Sequence, residues 1–185
     1  GDWFAWQNPT INPNRATPDL IAFAKGVNSG YVPVGGVVIS PTIAEAFADK
    51  VFPGGLTYSG HPLAAASIVA SIDAMTDEGI VENARMIGEQ HLGPGLRALA
   101  EKHEMIGDVR GLGVFWALDL VTDRATREPV SADVVNRLKA ELMARKVLPF
   151  AAENRIHVVP PCIVTPDQVA DALQAYDGAF SAVAQ

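Results

Sequence analysis

Apolar residues fall in short unbroken runs over the first forty positions, in helical stripes from about residue 62 to 103, and in alternating patterns after that. Residues 1–18 hold four Asn or Gln and three Pro and read as an irregular lead-in that ends in the turn-prone Ala16-Thr17-Pro18-Asp19. Leu20–Ala24 is an apolar run stopped by Lys25-Gly26, which predicts a strand buried on both faces, as in parallel sheets covered by helices. A second such strand is expected over Gly35–Ile39, then a helix over Ile43–Lys50 started by Ser40-Pro41-Thr42. Residues 52–62 contain three Gly and two Pro and must be loop.

From Pro62 the apolar positions Ala64, Ile68, Ile72 and Met75 step by four, four and three. With Leu63, Ala66 and Ala70 broadening that stripe, the pattern predicts a long, largely buried helix ending at Asp77-Glu78-Gly79. Val81–His103 is helical again, with Ala84, Ile87, Leu92, Leu96 and Leu99 inward and a kink or break expected at Gly93-Pro94-Gly95. Strand alternation then takes over at Val109 and over Val114–Val121, where Val114, Trp116, Leu118 and Leu120 share a face. Ser131 caps a helix through Arg145, two short strands are expected near Leu148–Phe150 and Ile156–Val159, and Thr165-Pro166-Asp167 starts a last helix. The order from about residue 106 reads as a self-contained α+β unit, preceded by an incomplete α/β piece.

Composition narrows the classes. At 185 residues, 49% hydrophobic and 19% charged, the chain has the make-up of a packed globular protein, not of a disordered one. Fourteen Lys and Arg against 21 Asp and Glu, with no basic cluster, argue against nucleic acid as a partner. No run approaches the roughly 20 apolar residues that span a bilayer, so no membrane association is expected and a cytoplasmic location is the default. The only cysteine, Cys162, sits in an apolar run and is expected as a buried structural thiol. Trp3, Phe4 and Trp6 stand at the very start with nothing ahead to cover them, which suggests a fragment.

Chemistry can reside in few places. Lys25, at the end of an apolar strand beside a glycine, is either a solvated strand end or an amine able to form an imine. Thr57, in Gly54-Gly55-Leu56-Thr57-Tyr58-Ser59-Gly60 just ahead of a helix, is either part of a surface loop or an anion contact. His61 and His157 could act as bases, but His91, His103, Cys162 and the carboxylates have no recognised metal-ligand spacing, so no metal is expected. Arg110 and Arg155 are candidate carboxylate clamps, since a guanidinium offers a two-pronged donor.

Taken as blocks, these segments resemble a known family. Pro18-Asp19-Leu20-Ile21-Ala22-Phe23-Ala24-Lys25-Gly26 followed by Gly30-Tyr31-Val32-Pro33-Val34-Gly35-Gly36 strongly resembles the lysine segment of class III aminotransferases, a fold-type-I family dependent on pyridoxal 5'-phosphate. Thr57-Tyr58-Ser59-Gly60-His61-Pro62-Leu63-Ala64 resembles its phosphate loop, and Val109-Arg110-Gly111-Leu112-Gly113 and Val159-Pro160-Pro161 with Thr165 match landmarks of its small domain. The likeness covers nearly the whole chain in the correct order.

The resemblance implies the C-terminal part of such a transferase: residues 1–79 as the late part of the large α/β domain, 80–105 as a connecting helix, and 106–185 as the small α+β domain. It implies that Lys25 carries the cofactor as an internal aldimine and later moves the proton. It implies too that Thr57 contacts the cofactor phosphate across the interface of a homodimer with shared active sites. The implied reaction takes an amino group from an amino acid or ω-amine to a 2-oxo acid; decarboxylases, aminomutases and racemases share the motifs, and the isolated chain is expected to be inactive.

Two departures stand out. His61 replaces the Asn common before the loop proline. His157 stands where members acting on α-amino acids carry an arginine; Arg155 lies two residues earlier and on the same face of an extended strand, so either Arg155 or His157 is the candidate substrate contact. The family's pyridine-nitrogen aspartate, ring-stacking aromatic and phosphate turn have no counterpart in the 185 residues.

Overall fold

The computed structural model describes residues 1–184 and divides into two compact units, Trp3–Gly79 and Ile80 onward together with Gly1 and Asp2. In the first unit, β1 (Leu20–Ala24) pairs antiparallel with β2 (Gly35–Ile39), Leu20 opposite Ile39 and Ala24 opposite Gly35. The expected parallel, doubly buried strands are thus corrected to an antiparallel pair that is half-buried at best, with Leu20, Val37, Val38 and Ile39 all exposed. The connection explains it: a turn on Lys25–Asn28 and a short loop return the chain directly, whereas a parallel pair needs a crossover of a dozen or more residues.

Helix α1 is only Pro41–Glu45; beyond it the backbone closes in i→i+3 turns at Phe47, Ala48 and Lys50, because a short exposed segment has no packed face to sustain a longer helix. Helix α2 (Pro62–Asp77) starts at Pro62, capped by His61, whose Nδ1 accepts from the Leu63 amide at 3.2 Å. Its stripe is not largely buried, as the pattern predicts: Ala64 alone is buried and Ile72 is exposed. Alanine-rich spacing marks a face suited to burial; this unit covers it only in part, leaving Ile68 and Met75 half-buried.

The second unit holds the core. Helices α3 (Ile80–Ile87) and α4 (Gly93–Lys102) are joined by a π-helical turn over Gly88–Leu92, in which the Gly93 amide bonds the Gly88 carbonyl. The irregularity expected at Gly93-Pro94-Gly95 is therefore realised one turn earlier: Pro94 lacks an amide and crowds the preceding carbonyls, and the ladder widens there without breaking. Gly88 is required by contact, since a Cβ there would lie 2.1 Å from the Gly113 carbonyl oxygen. Gly113 itself has φ +54° and turns the hairpin between β3 (Ile106–Leu112) and β4 (Phe115–Asp123), where its carbonyl accepts from Trp116 Nε1 at 2.6 Å.

The sheet runs β3-β4-β7-β6, all antiparallel, with β5 (Glu128–Pro129) added to β4. Strands β6 and β7 cover Phe150–Ala152 and Arg155–Val158; Leu148, expected in the first of them, is exposed loop. Helix α5 (Ala132–Ala144) is capped by Ser131, and α6 (Pro166–Val183) by a reciprocal box in which Thr165 and Gln168 bond each other's backbone amides. Trp116, Leu118, Leu120, Ile156 and Val158 on one sheet face meet Leu96, Leu138, Leu142 and Phe180 from the helices. Cys162 is exposed, correcting the buried thiol; the Pro160-Pro161 pair carries the chain out of the sheet before it. Among the described residues no helix is long and apolar enough to cross a membrane.

Candidate active site

Lys25 follows the last residue of β1 and opens the 3-10 turn Lys25–Asn28 with φ +53°, a left-handed conformation that an L-residue adopts only at a cost. Its side chain is exposed, and among the described residues Nζ makes no hydrogen bond or ion pair. Ser29 and Gly30 are left-handed too, so the chain reverses tightly behind the amine. Asn28 is the only buried polar residue of this unit among those described. Its Nδ2 donates to the Val32 carbonyl at 2.7 Å and to Ser67 Oγ at 2.9 Å, while Oδ1 accepts from the Gly30 amide.

Thr57 begins the turn Thr57–Gly60, exposed and with its hydroxyl free of intramolecular partners among the described residues. Gly60, at φ +69°, and His61 then lead into α2. Leu56 and Tyr58 on either side of Thr57 line, with Val34, Leu63 and Ile68, an apolar cavity of ≈ 620 Å³. Lys25 and Thr57 both belong to this unit.

The other candidates lie on the outer face of the second unit's sheet. On β7, Ile156 and Val158 point into the core, which leaves Arg155 and His157 side by side on the opposite face, as alternation predicts. Arg155 is engaged: its Nε donates to Asp119 Oδ1 at 3.0 Å. Arg110 grips the same carboxylate with both nitrogens, at 2.5 and 2.9 Å, and donates to Asp108 at 2.7 Å. The Arg110 guanidinium, then Arg155, holds the Asp119 carboxyl below the usual carboxylate range, and Asp119 and Asp108 in turn push Arg110 upward. His157 lies between Phe115 and Phe150, ring centroids 6.1 and 5.2 Å away, and both phenyl rings are exposed. A charge-balanced band of two arginines and two aspartates thus borders an aromatic band centred on a histidine.

Asn28, Asp119, Phe115 and Phe150 are absent from the candidates drawn from sequence. Asn-Ser-Gly is a turn signature whose Asn side chain bonds its own backbone two residues on, as Asn28 does to Gly30. Asp119 was reachable from the hairpin: Trp116, Leu118 and Leu120 inward puts Asp119 outward, beside Arg110 on the paired strand.

The model of the class III aminotransferases matches residues 1–180, and the chain belongs to that family. It is 31% identical to a taurine–pyruvate aminotransferase of Bilophila wadsworthia over all of its length and 42% of that protein. It is 35% identical to a putrescine–pyruvate aminotransferase of Pseudomonas aeruginosa over 91% of the chain and 36% of that protein. An ethanolamine-phosphate phospho-lyase homolog of Caenorhabditis elegans is 33% identical over 86% and 34%. Among solved structures, a taurine:2-oxoglutarate aminotransferase from Bifidobacterium kashiwanohense, in complex with PLP and glutamate, superposes with a TM-score of 0.87 at 36% identity, over 97% of this chain and 40% of that one. The chain spans about two fifths of the length of the relatives it matches, and over that part its fold is theirs.

Proposed function

We propose that the protein of which this chain forms part transfers an amino group from an amine or ω-amino donor to a 2-oxo acid, using pyridoxal 5'-phosphate. The donor set suits that cofactor: a free primary amine for its aldehyde at Lys25 and a free hydroxyl for its phosphate at Thr57. When bound, the cofactor supplies an electron sink next to the carbon that carries the substrate amine. Lys25 Nζ would hold the cofactor through its aldehyde, and the same amine would be the base that moves the proton at that carbon. Thr57 Oγ1 donates to the phosphate, in our reading that of the partner subunit in a cytoplasmic homodimer.

The observation that carries this reading is the unpartnered Lys25 amine, presented on a fixed left-handed turn inside the sequence block of a transaminase family. The outer face of the second sheet is the proposed substrate-contacting surface. With Arg155 held by Asp119, His157 and its two phenyl neighbours are the part left open. Taurine and putrescine, donors in the names of two relatives, carry no carboxylate on the amine-bearing carbon, so the donor half of the reaction needs no arginine clamp there.

Borohydride reduction in the presence of pyridoxal phosphate is expected to fix the cofactor on the Lys25 peptide, and Lys25→Ala to abolish that adduct with the fold unchanged by circular dichroism. A wild-type adduct distributed over other lysines would refute the assignment. A lyase reaction on the same cofactor is a second reading, favoured by the phospho-lyase homolog among the relatives. Product analysis separates them: a transaminase consumes a 2-oxo acid mole for mole, and a lyase turns over without one.

A further inference from the structure

We propose that Asn28 is a positioning residue that ties the Lys25 turn to helix α2 and thereby presets the amine; the link to cofactor capture rests on the function proposed above. Lys25 has an unfavourable backbone conformation and an unanchored side chain, so its placement must come from neighbouring groups. Three residues on, Asn28 uses the full reach of its amide. Oδ1 takes the Gly30 amide and Nδ2 takes the Val32 carbonyl, which fixes the reversal behind Lys25; the second Nδ2 hydrogen goes to Ser67 on α2.

Ser67 Oγ accepts that bond and donates to the Ala64 carbonyl at 2.7 Å. Ala64 lies in the first turn of α2, directly after the His61 cap and the loop that carries Thr57. One buried amide therefore links the amine-bearing turn to the helix that anchors the proposed phosphate loop. A hydrophobic residue at position 28 would take this partner from the Gly30 amide, the Val32 carbonyl and the Ser67 hydroxyl, and with it the tie between the turn and α2.

The test compares adducts at Lys25 and Lys50, two lysines of the same unit, after incubation with pyridoxal phosphate and borohydride, alongside hydrogen exchange of the 25–32 segment. Asn28→Ala is expected to lower the Lys25:Lys50 adduct ratio at least about fivefold and to speed exchange at Gly30. Ser67→Ala should move the ratio the same way by less, and Ser67→Thr, which keeps the hydroxyl, should retain it. An unchanged ratio in both alanine variants overturns the proposal even if exchange is faster, because general loosening affects both lysines alike.

Should Asn28→Ala not fold, Ser67→Ala against Ser67→Thr decides. Should the wild type show no preference for Lys25, the cofactor reading fails, and acetylation of Lys25 relative to Lys50 by acetic anhydride judges the tether alone. A ratio altered by Asn28→Ala or Ser67→Ala sustains the tether, and an unaltered one overturns it.

Discussion

The two units of this chain divide chemistry from stability. The unit that carries Lys25 and Thr57 buries one hydrophobic residue, Ala64, and exposes Leu20, Val37, Val38, Phe52, Leu56, Leu63 and Val69. The unit that carries Arg155 and His157 buries a continuous core from Ala84 to Val183. Both contain apolar strands and helices; what differs is whether one element's apolar face meets another's. Hydrophobic content alone stabilises nothing until it is removed from water. In the first unit local order therefore rests on turns and hydrogen bonds such as those of Asn28, whereas in the second it rests on packing.

The contrast can be broken most severely in the second unit. Leu138 is fully buried on α5, so Leu138→Ala should cost about 2–5 kcal/mol, read as a lower midpoint in urea with Trp116 emission as probe. A loss under about 1 kcal/mol would deny that this unit is the stable one.

A smaller effect is expected where α4 meets α6. Lys102 and His103 both bond Asp177, at 2.6 and 2.7 Å, and the Lys102 contact, followed by that of His103, holds the Asp177 carboxyl below the usual carboxylate range. A carboxyl depressed on folding contributes stability above its unfolded pKa, and that contribution is lost as pH falls through the depressed folded value. Asp177→Asn should accordingly cost up to about 1 kcal/mol at pH 7 and flatten the decline in stability below about pH 4. Urea titrations from pH 7 to pH 3 check this; parallel curves for variant and wild type would exclude the linkage.

The smallest effect is expected in the first unit. Ile72 belongs to the predicted inner stripe of α2 but is 40% exposed, so Ile72→Ala should change stability by less than about 1 kcal/mol. A loss as large as that of Leu138→Ala would mean that α2 is packed in the molecule as it exists in solution.

Periodicity reads burial faithfully only where a partner face exists, and the two units show it. Val134, Val135, Leu138 and Leu142 on α5 and Val169, Tyr176, Phe180 and Val183 on α6 turn inward as their spacing predicts, because each meets the sheet or the other helix. On α2 the same arithmetic marks Ile68, Ile72 and Met75, of which Ile68 and Met75 are half-buried and Ile72 is exposed, because little in this unit packs against them. Strand positions were legible at β1 and β2, but direction was not, since an apolar run carries no sign of its partner's polarity. At the candidate site, the shared face of Arg155 and His157 could be read from alternation, whereas residue type left Lys25 and Thr57 open and only the resemblance of their segments to the family singled them out. That Arg155 is already held by Asp119 could not be read, because it depends on β4 lying between β3 and β7.

The π turn at Gly88–Leu92 has a consequence for the phase of everything that follows it. A π turn holds one residue more than the α-helical turn it replaces, and each residue advances a helix by about 100°. Deleting a single position from this stretch would restore a regular ladder and leave Leu96 and Leu99 facing the sheet, whereas winding the same residues as plain α-helix would turn both about 100° away from it. The extra residue is thus absorbed within these five positions, and a one-residue gap placed among them in an alignment is no change of helix face.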